Sequence, residues 1–170
     1  MRPRPRPPPP STTLSTVPVP TPAQQGIPTV ALGTSQDVTK LTDGARITLV
    51  KVLDPVALSS ASNSTVTGTH TIGLDFSVQN LMGKSILGIS QRHLPSLEFI
   101  VYSSGGSAYA GFSGVSPNCP SYAPTTVIPL GGSFTGCEFA ELPQGIGVAQ
   151  VVISLDYGGL GGTPAAWHVP

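Results

Sequence analysis

The run "HTIGLDFSVQN" at 70–80 alternates strictly. Ile72, Leu74, Phe76 and Val78 are apolar, and Thr71, Gly73, Asp75, Ser77 and Gln79 between them are small or polar. Successive side chains of a strand point to opposite sides of the pleat, so a period of two predicts a β-strand with one buried face. The same alternation returns near the C-terminus, where Ala149, Val151, Ile153, Leu155 and Tyr157 interleave with Gln150, Val152, Ser154 and Asp156. These two segments are the expected central strands. "ARITLVKVLDP" is apolar at Ile47 and Leu49 and then shifts phase to Val50 and Val52, which a β-bulge or burial on both faces explains. Pro55 ends it.

Four further runs carry weaker strand signals. "LEFIVYSSGG" reads as a strand turning at Gly105 and Gly106, with "SAYAGF" as its short partner; "TTVIPL" reads as an edge strand limited by Pro129, and "SFTGCEFAEL" as a strand closed by Pro143. The one plausible helical turn is in "SILGISQRHL", which stops before Pro95. About seven short strands without alternating long helices predict an all-β fold, an immunoglobulin-like antiparallel β-sandwich, because each half-polar strand must bury its apolar face against a second sheet.

Residues 1–28 are different. They hold ten of the nineteen prolines and show no period of either 2 or 3.6. The expected division is therefore a proline-rich disordered linker or stalk over 1–28 and one sandwich domain over 29–170. Fully extended as polyproline II, the stalk would reach roughly 85 Å at about 3.1 Å per residue. The spacing Arg4-x-x-Pro7-x-x-Pro10 matches an SH3 ligand, yet any Arg/Pro repeat produces it by chance, and a stiff spacer is the simpler reading.

Composition narrows the function classes. Charged residues are only 9% of the chain, whereas Gly and Pro number 20 and 19, so turns and hydroxyl-rich surface replace charged helix faces. Net charge is zero, but Arg2, Arg4 and Arg6 lie in the tail, which leaves the remainder slightly acidic with its basic residues scattered singly. Nucleic-acid binding wants a clustered positive footprint, and none is present. No window approaches the roughly 18 apolar residues of a membrane span, and the basic start "MRPRPRPPPPSTTL" has no apolar stretch behind it.

Three segments, "DGARITLVKVLDP" at 43–55, "LDFSVQN" at 74–80 and "LGGSFTGCEFAELPQG" at 130–145, followed by a late Trp167, resemble the telokin-like family of exported actinobacterial domains, often found in lipoproteins and related to an immunoprotective extracellular antigen. The resemblance covers roughly 30–168 and is most specific from Leu130 to Gly145. It implies an immunoglobulin-like sandwich outside the cytoplasm or in the cell envelope, reached through a low-complexity linker, with an export or anchoring segment upstream of Met1. It offers no catalytic residues to carry over. The loop from Gly83 to Pro95 matches no pattern of the family.

Cys119 and Cys137 are the only cysteines. Two thiols do not make a zinc site, and His70, His93 and His168 stand at no ligand spacing. A catalytic thiol wants a basic neighbour to lower its pKa, whereas Cys137 is flanked by Phe134, Glu138 and Phe139. If the domain is exported as the resemblance implies, a structural disulfide is expected, closing a loop of about nineteen residues and stabilising by roughly 3 kcal/mol. The alternative is two buried reduced cysteines.

No catalytic, cofactor or metal site is expected. There is no G-x-S-x-G elbow, and Ser113 in "GFSGV" has its glycines misplaced by one residue. Asp54-Pro55 and Asp43-Gly44 read as turn chemistry, and Glu138 and Glu141 should point to opposite faces of one strand. No phosphate cradle occurs, and "YGGLGGTP" at 157–164 reads as a flexible connection. Trp167 should pack over the end of the sandwich to tie down the C-terminus, rather than stack on a sugar or a partner. Asn63-Ser64-Thr65 is a glycosylation sequon by pattern alone. The expected function is a non-enzymatic binding module for a protein or envelope component. The alternatives are a hydrolase assembled from loop Ser, His93 and Asp residues, and a purely structural envelope spacer.

Overall fold

The computed structural model describes residues 27–40, 43–59, 66–81, 86–87, 96–119, 127–129, 131–156 and 163–170. The expected stalk up to residue 26, the sequon, His93 and most of "YGGLGGTP" lie outside them. Among the described residues there are eleven strands: β1 (Thr29–Ala31), β2 (Ser35–Lys40), β3 (Asp43–Leu53), β4 (Thr69–Asn80), β5 (Ile86–Leu87), β6 (Ser96–Ser103), β7 (Ala108–Ala110), β8 (Val127–Ile128), β9 (Ser133–Pro143), β10 (Val148–Asp156) and β11 (Ala165–His168). A five-stranded sheet, β1-β11-β10-β6-β7, faces a four-stranded sheet, β2-β3-β4-β9, and β5 pairs β8 in a two-stranded annex. This is the immunoglobulin-like sandwich that the alternation predicts.

The core lies between the two principal sheets. Ile72, Leu74, Phe76 and Val78 of β4 point into it, meeting Ile47 and Leu49 of β3, Phe99 and Val101 of β6, and Val151 and Ile153 of β10. The phase shift in β3 is a bulge: Leu49 pairs Phe76 and Lys51 pairs Asp75, so Val50 between them has no partner and lies 45% exposed. The extra residue turns the apolar set from odd to even positions, which keeps Val52 packed against the core opposite Leu74.

The hairpin from β6 to β7 turns where expected, with Gly106 at φ +83°, a backbone conformation glycine adopts without a Cβ clash. "TTVIPL" contributes the two residues of β8, and they pair with β5 rather than with either large sheet. Ile86 and Leu87 therefore correct the expected helical turn, because their backbone bonds go across to a second strand; the rest of that segment lies outside the described residues.

The alternation did not mark β1, β2, β5 or β11. In β2 the inward positions are Gln36 and Val38, and the polar Gln36 hides the period; its amide is satisfied by donating to the Ala166 carbonyl at 2.6 Å. At Gly33 (φ +81°) the chain leaves one sheet, where β1 runs parallel to β11, and enters the other as β2 against β3. Trp167 is fully buried in the core from within β11, beside Val151, and its indole N–H donates to the Thr34 carbonyl at 2.8 Å. It packs into the core, and its bond to Thr34 ties the last strand to the turn between β1 and β2.

Candidate functional site

Beyond β7 the chain does not turn away from the sandwich. It forms a strap from Gly111 to Cys119 that crosses the seam between the sheets. Gly111 N–H donates to the Phe99 carbonyl of β6 at 2.7 Å, and the next residue, Phe112, exchanges two backbone bonds with Phe139 of β9, at 2.7 and 3.0 Å. Consecutive residues are thus bonded to opposite sheets. A Cβ at Gly111 would stand 2.7 Å from the Phe99 Cβ and 3.2 Å from the Glu138 Cγ, so the crossing needs glycine.

The strap then lies on the outer face of the four-stranded sheet. Ser59 N–H donates to the Val115 carbonyl at 2.8 Å, which joins the strap to the loop after β3, and Val56 N–H of that loop donates to the Thr71 carbonyl of β4 at 2.8 Å. Together they cover a second small core of Val56, Cys119, Cys137 and Phe139, with Leu53, Leu58 and Phe112 packed around it. Cys119 is disulfide-bonded to Cys137, their Cα atoms 5.6 Å apart, so the end of the strap is fastened to β9. Gly73 lies directly beneath, where a Cβ would stand 3.2 Å from the Cys119 Sγ and 3.5 Å from the Cys137 Sγ. A glycine in mid-strand here makes room for sulfur.

Two pairs of chemistry-bearing side chains emerge that the sequence reading did not assemble. Glu138, opposite Leu74 and two residues before core Ala140, faces the interior of the sandwich at its edge, and Ser113 of the strap donates to its carboxylate at 3.3 and 3.5 Å. Burial pushes this carboxyl up to about 7, with the Ser113 hydrogen bond pulling weakly the other way. Glu141 points to the opposite face, as expected, and partial burial raises it too. The signal for Glu138 was present in the chain: Phe134, Ala140 and Leu142 share its parity, and the core claims that parity.

The second pair is Asp54 and His70, whose carboxylate and Nε2 are 3.0 Å apart, while the His70 Nδ1 is buried without a partner. Asp54 follows β3 and His70 begins β4, so the contact comes from the pairing of those strands and not from local spacing. His70 pairs Leu142 and Glu138 pairs Leu74, four residues along the same strand and roughly 13 Å apart at 3.3 Å per residue. The two pairs therefore stay separate, and among the described residues no group of three or more His, Cys, Asp or Glu side chains could hold a metal.

Beyond this second core the outer face carries two polar rows. Register aligns Ser35, Thr48, Ser77 and Thr135 in one row across four strands, and Asp37, Arg46, Gln79 and Ser133 in the next. Ser35 and Thr48 share a hydrogen bond at 2.7 Å. Arg46 holds Asp37 through two, at 2.7 and 3.0 Å, and this hydrogen bonding lowers the Asp37 carboxyl from its ordinary value. Lys51 lies 3.6 Å from Asp75.

Fold and strap together define an immunoglobulin-like β-sandwich whose crossing segment is fastened by a disulfide. Two solved structures share the architecture. One is MPT63, a secreted protein of Mycobacterium tuberculosis, with a TM-score of 0.53 and 16% identity over 84% of this chain and 98% of that one. The other is ycdA, assigned as a lipoprotein of Bacillus subtilis, with a TM-score of 0.51 and 14% identity over 80% of this chain and 39% of that one. At these identities the likeness is one of fold. No protein-family model matches the chain, and no curated protein matches it in sequence.

Proposed function

We propose that the chain is an extracellular or cell-envelope module without catalytic activity, which binds a protein or envelope component from the end of the proline-rich segment 1–28. The observation that carries this reading is the Cys119–Cys137 cross-link. Both cysteines are spent on fastening a strap, and such a bond persists in oxidising compartments. The secreted and lipoprotein structures of the same architecture support the location. The binding surface is the polar outer face around Thr48, Arg46 and Thr135, where hydroxyls and a surface ion pair offer hydrogen-bond donors and acceptors.

The test has two arms. Producing cells are lysed directly into denaturant with alkylating reagent, before and after reduction; protection until reduction supports the location, and full labelling without reductant in a cytosolic fraction overturns it. Immobilised protein is then exposed to envelope extract beside a Thr48→Lys, Thr135→Lys variant. A component retained by the first and lost from the second supports the binding face, and equal retention refutes it.

A further inference from the structure

Glu138 sits where three constraints meet. Its Cγ would stand 3.2 Å from a Cβ at Gly111, its carboxylate reaches Ser113, and between those two residues Phe112 holds the strap to β9. Glu138 shares the inward parity of β9, and among the described residues this segment of chain crosses the seam beside it. We propose that ionisation of Glu138 lifts the strap from Gly111 to Gly114 off the seam, making this edge of the sandwich a pH-gated opening that is shut in mild acid and loosened in mild alkali.

The physical argument starts from solvation. A neutral carboxyl can rest opposite Leu74 with one hydroxyl beside it, whereas a carboxylate there finds, among the described residues, a single side-chain donor to replace its water. Burial raising the group to about 7 is the same effect seen from the proton's side. Ser113 is itself exposed, so full hydration is regained by turning the carboxylate outward along the strap that Gly111 and Ser113 form beside it. The strap can yield without unfolding the domain, since it is anchored at one end by the β6–β7 hairpin and at the other by the disulfide.

Among the described residues, the groups packed around Glu138 do not supply a competing charge. β4 presents Leu74, β6 presents Phe99, β7 contributes Tyr109 to the same core, and the strap presents Ser113. His70, held by Asp54, is four residues along β4; Asp75 with Lys51, and Glu141, lie on the outer face, and Glu98 is exposed on the far side of β6.

The opening is measured by amide exchange on the full chain, with intrinsic rates divided out. Between pH 5.5 and 8.5, protection of the Gly111, Phe112 and Phe139 amides should fall by about 10- to 100-fold, as local opening linked to a proton of this kind requires. Protection at Val151, in the centre of the other sheet, should hold. Glu138→Gln should keep the strap protected at both pH values. Ser113→Ala, which removes the hydroxyl that favours the ionised form, should move the midpoint to higher pH and serves alone if the Gln variant does not fold. Unchanged protection in the parent protein, an equal fall in Glu138→Gln, or an unmoved midpoint in Ser113→Ala overturns the proposal.

Discussion

Phe76 meets Phe99 across the core at 4.9 Å between ring centroids and Phe134 edge-on at 6.4 Å, so one side chain of β4 ties both sheets together. Phe76→Ala should cost about 3–5 kcal/mol as a buried aromatic truncation, while Ser77→Ala on the outer face should be near neutral. Chemical denaturation of the two variants checks the phase directly, since equal effects would contradict it. Gly73 is a sharper test of how the outer face is built. Gly73→Val would drive a branched side chain into the space of both sulfurs, and overpacking of that kind should cost about 1–3 kcal/mol. Reducing the disulfide first should shrink the penalty, because the clash is with the bonded pair.

At the scale of elements, the strap is the segment that function-minded reading would want and the sequence least revealed. Strands with strict alternation, β4 above all, could be read residue by residue, and the β3 bulge showed itself as a change of phase. The strap has no period because its successive residues serve different neighbours: Gly111 answers to β6, Phe112 to β9, Gly114 to the Phe139 ring and Cys119 to Cys137. Such a segment is specified by contacts distant in sequence, and local pattern cannot hold them. The Asp54–His70 pair was hidden for the same reason, whereas Glu138 was legible from its parity on β9 and was missed. Replacing both cysteines by serine should cost about 3 kcal/mol by the loop-entropy argument and should expose Phe112 and Phe139 to proteolysis nearby. Thermal melts with and without reductant, compared with the double variant, measure it. Deleting residues 1–28 should by contrast leave the melting temperature nearly unchanged, because a segment without apolar periodicity contributes no core contacts; a loss of several degrees would refute the stalk.

For the whole molecule, one buried carboxyl gives stability a direction with pH. Glu138 moves from 4.5 to about 7 on folding, so between those values the folded chain keeps a proton that the unfolded chain has released. Stability must then fall as pH rises through that interval and level off above it. At 1.36 kcal/mol per pH unit the loss is about 3 kcal/mol at most. Denaturation midpoints from pH 4.5 to 8 should decline in the parent protein, and the contribution should vanish in Glu138→Gln.

The parallel pairing of β1 with β11 has a mechanical meaning. Because the two strands run the same way, with Thr29 beside Ala166 and Ala31 beside His168, the chain enters the sandwich at one pole and leaves it at the other. Tension through the two ends would therefore drag these strands past each other along their length, and the bonds between them would share the load at once. An antiparallel pair in the same place would bring both ends to one pole, and its bonds would break in succession like the teeth of a zip. A pull applied to those two ends would be met in shear, at the join between β1 and β11.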